Sequence, residues 1–488
     1  MRTIIVVERE EDGIPSLPGV EVVLAGDYLT GPRWIEERGV RVFNLCRSYR
    51  YQSEGYYVSL LAMARKHKPF PDLSTVLDMK SRSTIRSVDE DLDDVIQKSL
   101  EGIRSEKFEL SVYFGRNMAA RHERLARRIF ALFPAPLLRA QFQRGERWRL
   151  SSIAPIPLKD VSASHRPFLQ DVATEYFSKP RYSARGAKGA RYGLAILHWD
   201  EEELSPSNSK ALKKFAAAAK SLGFGVEMIS RDDYGRLGEF DALFIRETTS
   251  VNHHTFRFAQ RAEAEGLVVI DDAQSILRCT NKVFQTEVFR LRGVQTPKTW
   301  ITDKLDSARA AEEVGFPCVL KVPDSAFSQG VVKCADAAEF EAKGKAIMKD
   351  SELLLVQEFC PSDYDWRVGV LDGQPLYVCR YHMAKGHWQI VNKQGKNDYD
   401  YGRIETLAVE EAPRKVVQLA LRAANAIGDG LYGVDLKQFG KEVVVIEVND
   451  NPNLDAGQED RVLGDELYRR IMSVFLHRVM ARKGGRWR

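Results

Sequence analysis

The stretches Gly433–Lys437 (GVDLK) and Val443–Pro452 (VVVIEVNDNP) hold the most informative residues of the chain. Both are rich in apolar, β-branched residues, which predicts two β-strands. Because side chains alternate along a strand, Glu447 and Asn449 leave the second strand on the same face. The Asn-Pro pair at its end predicts that the strand stops there.

The same stretches predict a hairpin that brings Asp435 close to Glu447. Each of these carboxylates is six residues from Lys441, at the predicted turn. A hairpin that closes there places Asp435 within about one residue of the position opposite Glu447. Two carboxylates and the Asn449 amide on one face are oxygen ligands that suit Mg²⁺. The sequence therefore predicts a site for a metal-bound phosphate.

Length and composition set the class of the protein. The 488 residues exceed a single ordinary core, so we expect two to four domains. A hydrophobic content of 44% with 29% charged residues is typical of a soluble globular protein. The net charge of +4 is small for this length and gives no strong nucleic-acid signal.

The cysteines and apolar runs indicate a cytoplasmic protein. The six cysteines show no CxxC or CxxxC spacing, which indicates buried, reduced thiols and no zinc site. The apolar run at the N-terminus is too short for a signal peptide. No apolar run reaches the roughly 18 residues of a transmembrane helix, so no membrane partner is expected.

The pattern of predicted elements divides the chain into five parts. Short β-branched runs alternate with helical spacing in the first part, and strands alternate regularly with helices in the third, which predicts a parallel sheet. We predict an N-terminal α/β domain (1–177), a basic linker (178–191), a small parallel-sheet α/β domain (192–278), an α+β domain (279–478) and a basic tail that frays (479–488).

A second candidate site lies upstream. Lys321 ends an apolar strand, and Ser325, Ser328 and Gly330 follow it in a loop of small residues. Small residues allow backbone N–H groups to approach an anion closely. The loop lacks the GxxxxGK[ST] pattern of a P-loop, and an ordinary turn explains it equally well.

Leu353–Phe359 predicts a buried strand, and the backbone groups at its end suit the edge of an adenine ring. Asp365 and Arg367 follow on one face of the next strand. Arg380 ends the strand after that. Two arginines near a metal site suit bidentate contacts to phosphate or carboxylate, although taken alone they are equally explained as surface ion pairs.

The order of these residues resembles the ATP-grasp superfamily and, within it, the RimK-like carboxylate–amine ligases. The resemblance covers roughly residues 192–475 and rests on Asn281-Lys282, Lys321, Gln357-Glu358-Phe359, Asp365-x-Arg367, Gly433-Val434-Asp435 and Glu447-x-Asn449-x-Asn451-Pro452. It implies that 192–278 is a pre-ATP-grasp domain and 279–478 the ATP-grasp domain. Residues 1–177 resemble the N-terminal domain found on some RimK-like proteins.

The resemblance also implies roles for single residues. The expected nucleotide contacts are Lys282, Lys321, Ser325, Ser328 and Gly330 at the phosphates, Glu358 and Phe359 at adenine, Asp365 at the ribose, and Asn392. The expected ligands of two Mg²⁺ ions, or Mn²⁺ in their place, are Asp435, Glu447 and Asn449. Arg367 and Arg380 would stabilise charge on the transferred phosphoryl group.

The chain also departs from the family pattern. RimK enzymes have paired arginines where this chain has Arg380-Tyr381, and Gln389–Lys396 lacks the arginines that the family carries in this segment. A different acceptor is therefore expected. Arg246 follows a strand that borders the substrate cleft in the superfamily, so it would either hold a substrate carboxylate or pair with Glu247.

The implied function is a Mg-ATP-dependent carboxylate–amine ligase that acts on amino acid or peptide substrates. A phosphotransferase that stops at a phosphorylated product is one alternative. A nucleotide-binding, ribosome-associated regulatory module is another. Assembly into a homo-oligomer is compatible with the sequence. The adjacent His253 and His254 do not share a helix face and have no evident third partner, so no metal is expected there.

Overall fold

A computed structural model describes residues 2–12, 14, 17, 19–37, 39–178, 190–202, 205–324, 330–349, 351–395 and 398–483. The chain divides into two compact units, one of residues 1–183 with 232–239, and one of residues 184–231 with 240–488. The predicted linker at 178–191 falls mostly within 179–189, outside the described residues. No helix in these ranges has the length and apolar composition needed to cross a bilayer.

The first unit contains one parallel and one antiparallel sheet. The parallel sheet has the order β2-β1-β3-β4, and the antiparallel sheet the order β5-β6-β7. The strands are β1 (Arg2–Val7), β2 (Val20–Leu24), β3 (Val40–Asn44), β4 (Lys68–Phe70), β5 (Lys107–Tyr113), β6 (Leu137–Arg144) and β7 (Trp148–Pro155). The helices are α1 (Ala25–Thr30), α2 (Arg33–Glu36), α3 (Glu54–Ala64), α4 (Leu73–Asp78), α5 (Arg82–Leu100), α6 (Glu123–Leu132) and α7 (Arg166–Ser178).

The second unit opens with a parallel sheet of order β11-β10-β8-β9. Strands and helices alternate here as the sequence predicts, in the order β8 (Tyr192–Leu197), α8 (Ser209–Ser221), β9 (Phe224–Ile229), β10 (Ala242–Ile245), α9 (His254–Ala264) and β11 (Val268–Ile270). Helices α10 (Ala273–Thr280) and α11 (Lys282–Leu291) then lead out of this sheet.

A four-stranded antiparallel sheet follows, with the order β12-β15-β13-β14. Its elements are β12 (Thr299–Thr302), α12 (Ser307–Glu313), β13 (Cys318–Lys321), β14 (Val331–Cys334), α13 (Ala337–Ile347) and β15 (Leu354–Glu358). Lys321 and the predicted adenine strand therefore belong to neighbouring strands of one sheet.

The last sheet has five strands in the order β20-β17-β16-β21-β22. Its elements and their neighbours are β16 (Tyr364–Leu371), β17 (Gln374–His382), β18 (Val391–Gly395), β19 (Asp398–Tyr401), β20 (Ile404–Leu407), α14 (Arg414–Ile427), β21 (Leu431–Phe439), β22 (Glu442–Asp450) and α15 (Asp465–Arg482). Strands β18 and β19 form a separate two-stranded ladder.

Helix α15, the last helix of the second unit, packs on the parallel sheet and so attaches the C-terminal part of the unit to that sheet. The ring of Phe215 lies 4.7 Å from that of Tyr468, and the ring of Phe244 lies 5.4 Å from that of Phe475. The helix continues to Arg482, and Val479 is buried. The prediction that the chain frays from residue 479 is therefore wrong up to Arg482, because apolar residues at helical spacing keep this last turn packed on the core.

Asn451 fixes the segment that leaves β22. Its backbone has a φ of 45°, a left-handed conformation that asparagine tolerates better than most residues. Its N–H donates to Asp271 Oδ2 at 2.6 Å, and its side-chain amide donates to the Glu247 carbonyl. Its side-chain oxygen accepts from Arg246 Nη1 at 2.6 Å. These bonds attach the strand that carries Glu447 to the parallel sheet.

Arg246 is fully buried and is surrounded by acceptors. Besides Asn451, it donates to Ser207 Oγ at 3.0 Å, to the Pro452 carbonyl at 2.9 Å and to the Pro206 carbonyl. A cation in this position is stable only because these acceptors replace water around it.

Replacing Arg246 with Met should destabilise the protein by about 3 kcal/mol or more, because it leaves several buried acceptors without a donor. Urea denaturation of the full chain measures the change. The control is Arg290→Met, since that side chain is 75% exposed and pairs within its own helix; its effect should stay within about 0.5 kcal/mol. Equal denaturation midpoints for the two variants would contradict the structural role of Arg246.

Candidate active site

Three side chains meet on one face of the five-stranded sheet, as the sequence predicts. Asp435 on β21 pairs directly with Glu447 on β22, and Asn449 pairs with Gly433. The side-chain amide of Asn449 donates to Asp435 Oδ2 at 3.0 Å. The predicted hairpin is therefore present, and its register places the two carboxylates directly opposite each other.

Gly433 is required for this arrangement because the chain returns closely over it. A Cβ atom on Gly433 would lie 2.8 Å from the Cβ of Pro452 and 3.5 Å from the Cδ of Arg367. The first of these distances is shorter than van der Waals contact allows. The glycine in the GVD stretch thus lets the Asn-Pro segment pack next to the metal-binding candidates.

Arg367 on β16 completes the face. Its Nε and Nη2 atoms donate to the two carboxylate oxygens of Asp435, each at 2.7 Å. Both side chains are nearly buried, at 12% and 14% exposure, so their attraction is only weakly screened by water. Neither of these two bonds uses Nη1.

The two predicted phosphate-binding lysines line the same cavity as Glu447. Lys282 Nζ is 3.8 Å from Glu447 Oε2, and Lys321, Lys282 and Gln357 line the cavity together. Burial lowers the pKa of Lys321 to about 8, with Glu447 opposing the shift and Lys282 adding to it. Burial alone would raise the pKa of Glu447, but Lys282, Lys321, Arg367 and the Asn449 amide together outweigh burial and hold this pKa below its usual range.

Gln285 positions Lys282, and sequence reasoning missed it. Its side chain donates to the Val448 carbonyl at 2.9 Å and accepts from the Val448 N–H at 2.8 Å. This pair of bonds fixes α11 against β22, one turn from Lys282. The helical spacing of Lys282 and Gln285 was visible in the sequence, but the strand that they contact was not.

Asp365, the predicted ribose contact, lies at the edge of the cluster. Its Oδ1 accepts from Lys437 Nζ at 2.6 Å and from Ser362 Oγ at 3.2 Å. Lys437 shares a face with Asp435, two residues earlier on β21, so strand periodicity could have found it. The site thus contains the ion pair of Lys437 with Asp365 besides that of Arg367 with Asp435.

The predicted adenine contacts lie at the end of β15. The Glu358 N–H donates to the Lys298 carbonyl at 2.9 Å, and its carboxylate accepts from the Lys298 N–H at 3.2 Å. The Phe359 N–H donates to the Pro317 carbonyl at 3.4 Å. These two N–H groups are therefore already engaged within the chain.

Parts of the predicted phosphate loop and acceptor segment lie outside the described residues. Ser325 and Ser328 belong to this group. Gly330 is described, and its φ of 68° is left-handed, while its carbonyl accepts from Val322 N–H at 3.2 Å. Asn392 lies on β18 opposite Asp400, and its side chain is outside the described part of the chain.

The structure does not place Arg380 in the cluster. Arg380 pairs with Trp366, whose side chain is on the face opposite Arg367, and its guanidinium lies 4.7 Å from the centre of the Trp366 ring. A register shift between Gly369 and Val370 is the cause. One extra residue in a strand moves every later side chain to the other face.

Tyr381 takes the place on the site face that Arg380 was predicted to fill. Its ring lies 4.9 Å from the Arg367 guanidinium carbon, and its hydroxyl donates to Glu459 Oε1 at 2.5 Å. Burial raises the pKa of Glu459. Sequence reasoning missed both residues, because their proximity depends on the same register shift and on a segment 78 positions downstream.

The structure also corrects the prediction that Arg246 holds a substrate carboxylate. Its guanidinium donates to Ser207, Asn451 and the carbonyls of Pro206 and Pro452, and the residue is fully buried. Burial lowers its pKa to about 10. It therefore holds protein groups in place and does not present a cation to a substrate, and it does not pair with the Glu247 carboxylate, the other predicted partner.

The donor set fits a magnesium ion that is shared with a phosphate. Among the described residues no three His, Cys, Asp or Glu side chains form a metal cluster. Asp435, Glu447 and the Asn449 amide would therefore supply only part of a coordination shell. Mg²⁺ commonly takes one or two carboxylates and completes its shell with substrate phosphates and water.

Comparisons with known proteins agree with this geometry. The model of the RimK-like ATP-grasp N-terminal domain matches residues 25–172, and that of the RimK-like ATP-grasp domain matches residues 279–473. Both ranges fall where the sequence resemblance placed them.

Three curated relatives are 26–27% identical to this chain over the residues that align. A formate-dependent phosphoribosylglycinamide formyltransferase of Wolinella succinogenes is 27% identical over 54% of this chain and 65% of its own length. An alpha-aminoadipate–LysW ligase LysX of Saccharolobus solfataricus is 26% identical over 49% of this chain and 88% of its own. A probable alpha-L-glutamate ligase of Parasynechococcus marenigrum is 27% identical over 45% of this chain and 46% of its own.

The two matching domains together span most of the described chain, and the site residues Lys282, Lys321, Asp435, Glu447 and Asn449 all lie in the second. The chain therefore belongs to the RimK-like ATP-grasp proteins, with residues 25–172 as its RimK-like N-terminal domain and residues 279–473 as its ATP-grasp domain.

Proposed function

We propose that the protein is an ATP-dependent ligase that joins a carboxylate to an amine of an amino acid or peptide, in the cytoplasm. The observation that carries the proposal is the cavity in which Lys282 and Lys321 face Glu447, beside its partner Asp435. Lysine ammonium groups and a candidate metal-binding carboxylate in one cavity suit the triphosphate of ATP. The relatives named as ligases support amide formation, and six buried free thiols support a reducing compartment.

The reaction has two steps. An oxygen of the substrate carboxylate attacks the γ-phosphorus of ATP, the bond to the β–γ bridging oxygen breaks, and ADP leaves. The amine nitrogen then attacks the acyl phosphate carbon, the bond to the phosphate oxygen breaks, and inorganic phosphate leaves with a proton lost from nitrogen. No protein nucleophile is needed, so positioning and charge are what the chain supplies.

Each site residue has a place in these steps. Lys282 and Lys321 neutralise the phosphate oxygens, and Asp435, Glu447 and Asn449 would hold two Mg²⁺ ions, whose chemistry is to neutralise charge on the triphosphate. Asp365 would orient the ribose, and the end of β15 would contact the adenine through groups other than the engaged N–H groups of Glu358 and Phe359.

Arg367 acts in two ways in this proposal. Its bidentate pair with Asp435 fixes the orientation of that carboxylate. Its Nη1 group, which takes no part in the pair, would contact the transferred phosphoryl group. Arg380 has no part in the chemistry, because it lies on the other face of the sheet.

The direct test is ADP release by the full chain with Mg-ATP, screened over pairs of amino acids and dipeptides and followed by mass measurement of the products. Release should require both an acid and an amine, and the product mass should equal the sum of the two minus water. Release with the acid alone and a stable phosphorylated product would favour a phosphotransferase. No turnover with any pair would favour a regulatory nucleotide-binding module.

Arg367→Gln and Arg380→Gln form a matched pair that tests the corrected assignment. Arg367→Gln should lower ADP release roughly 10- to 100-fold, the range expected when a partner of a metal ligand is lost. Arg380→Gln should stay within about threefold of the wild type, as is usual for substitutions away from a site. Equal losses in both variants would contradict the face assignment of Arg380.

A further inference from the structure

The parallel sheet of the second unit has a switch in strand order next to the active site. The chain passes from β8 to β9 on one side and then to β10 on the other. Crevices at the carboxyl ends of two such strands are the usual ligand sites of parallel sheets. His198 follows β8 here, and Arg246 and Glu247 follow β10.

Glu247 has an unusual environment for a carboxylate. It is 1% exposed. Its Oε2 accepts from His254 Nε2 at 2.6 Å, while Oε1 is buried and has no hydrogen-bond partner among the described residues. A buried carboxylate oxygen without a partner is unfavourable, so it indicates a missing donor.

Two more buried polar atoms in this region have no hydrogen-bond partner among the described residues. Glu202 accepts from the Thr248 N–H through Oε1 at 2.8 Å, which joins it to the residue after Glu247. Its Oε2 has no partner in the described part of the chain, and neither does Nδ1 of His198. Nε2 of His198 is 3.1 Å from the exposed Asp200. Acceptors thus outnumber donors at this crevice.

The cations near the crevice do not fill this deficit. Arg246 is committed to Ser207, Asn451 and two carbonyls. Burial lowers the pKa of His253 to about 4, with the neighbouring His254 adding to the shift, so His253 is neutral at pH 7. Arg257 on α9 is the other cation that acts on His253. Two carboxylate oxygens at the crevice, Oε1 of Glu247 and Oε2 of Glu202, therefore remain without a donor among the described residues.

The crevice borders the metal-binding face. The side-chain amide of Asn451 donates to the Glu247 carbonyl, and Asn451 is two residues beyond Asn449. A ligand at Glu247 would thus lie beside the end of β22, on the same unit as the nucleotide cavity.

We propose that Glu247 and Glu202 bind the primary ammonium group of an amino acid substrate. An ammonium group brings one positive charge and three N–H donors, which match the two unpartnered carboxylate oxygens and the ring nitrogen of His198. An amine held by two carboxylates stays protonated and has no lone pair for attack. The subsite therefore holds an amino group that does not react, and the attacking amine binds elsewhere. This inference rests on the proposed ligase function.

The test is binding of each of the twenty standard amino acids, and of its N-acetyl derivative, to the full chain with Mg-ADP, measured by ligand-observed NMR. At least one free amino acid should bind, and its N-acetyl form should bind at least tenfold more weakly. Glu247→Gln should weaken binding of that amino acid roughly 10- to 100-fold, as expected for a hydrogen bond to a charged group. The amide keeps an oxygen for His254 and turns its N–H groups toward the ligand.

Glu202→Gln should also weaken binding of that amino acid. If Glu247→Gln melts at a lower temperature than the wild type, the affinity of Glu202→Gln is the one that tests the proposal. Glu201→Gln is the control, because it removes the same charge from an exposed neighbour and should leave the affinity unchanged. The proposal is overturned if no amino acid binds, if N-acetylation has no effect, or if neither glutamine variant weakens binding. Failure of the ligase function shows separately, as no ADP release by the wild type from Mg-ATP with any acid–amine pair.

Discussion

The bidentate pair between Arg367 and Asp435 is the interaction on which the site depends. It joins the two central strands of the five-stranded sheet, β16 and β21, through two bonds of 2.7 Å in a nearly buried position. A carboxylate there without its arginine would be a buried, unpaired charge, which is strongly unfavourable. The pair holds Asp435 beside Asn449 and directly opposite Glu447, and so orients the whole metal-binding face.

Other elements are fixed against this face by polar contacts across long sequence distances. Gln285 attaches α11, and with it Lys282, to Val448 on β22. Asn451 attaches the end of β22 to Arg246 and Asp271 of the parallel sheet. The lysines and carboxylates of the site, and the crevice beside Glu247, are therefore held in fixed positions. Phosphoryl transfer without a protein nucleophile requires such positioning.

The local sequence predicted the hairpin well, because β21 and β22 are joined by a short turn and both are rich in apolar residues. It could not predict Arg380, since the face of that residue depends on a one-residue shift between Gly369 and Val370. Without this shift Arg380 would share the face of Asp365 and Arg367, where the role implied by the resemblance would place it. Arg246 was also beyond sequence reasoning, because its partners Asn451 and Pro452 lie more than 200 residues away.

We expect Glu447 and its neighbours to bind a nucleotide through Mg²⁺. Calorimetric titration of ADP with and without Mg²⁺, on the wild type, Glu447→Gln and the exposed Glu442→Gln, tests it most directly. Mg²⁺ should strengthen ADP binding to the wild type and to Glu442→Gln. In Glu447→Gln this gain in affinity should be smaller by roughly 10- to 100-fold or absent, because loss of a metal ligand costs at least as much as loss of a residue that only contacts a ligand. An undiminished effect of Mg²⁺ on Glu447→Gln would contradict the account.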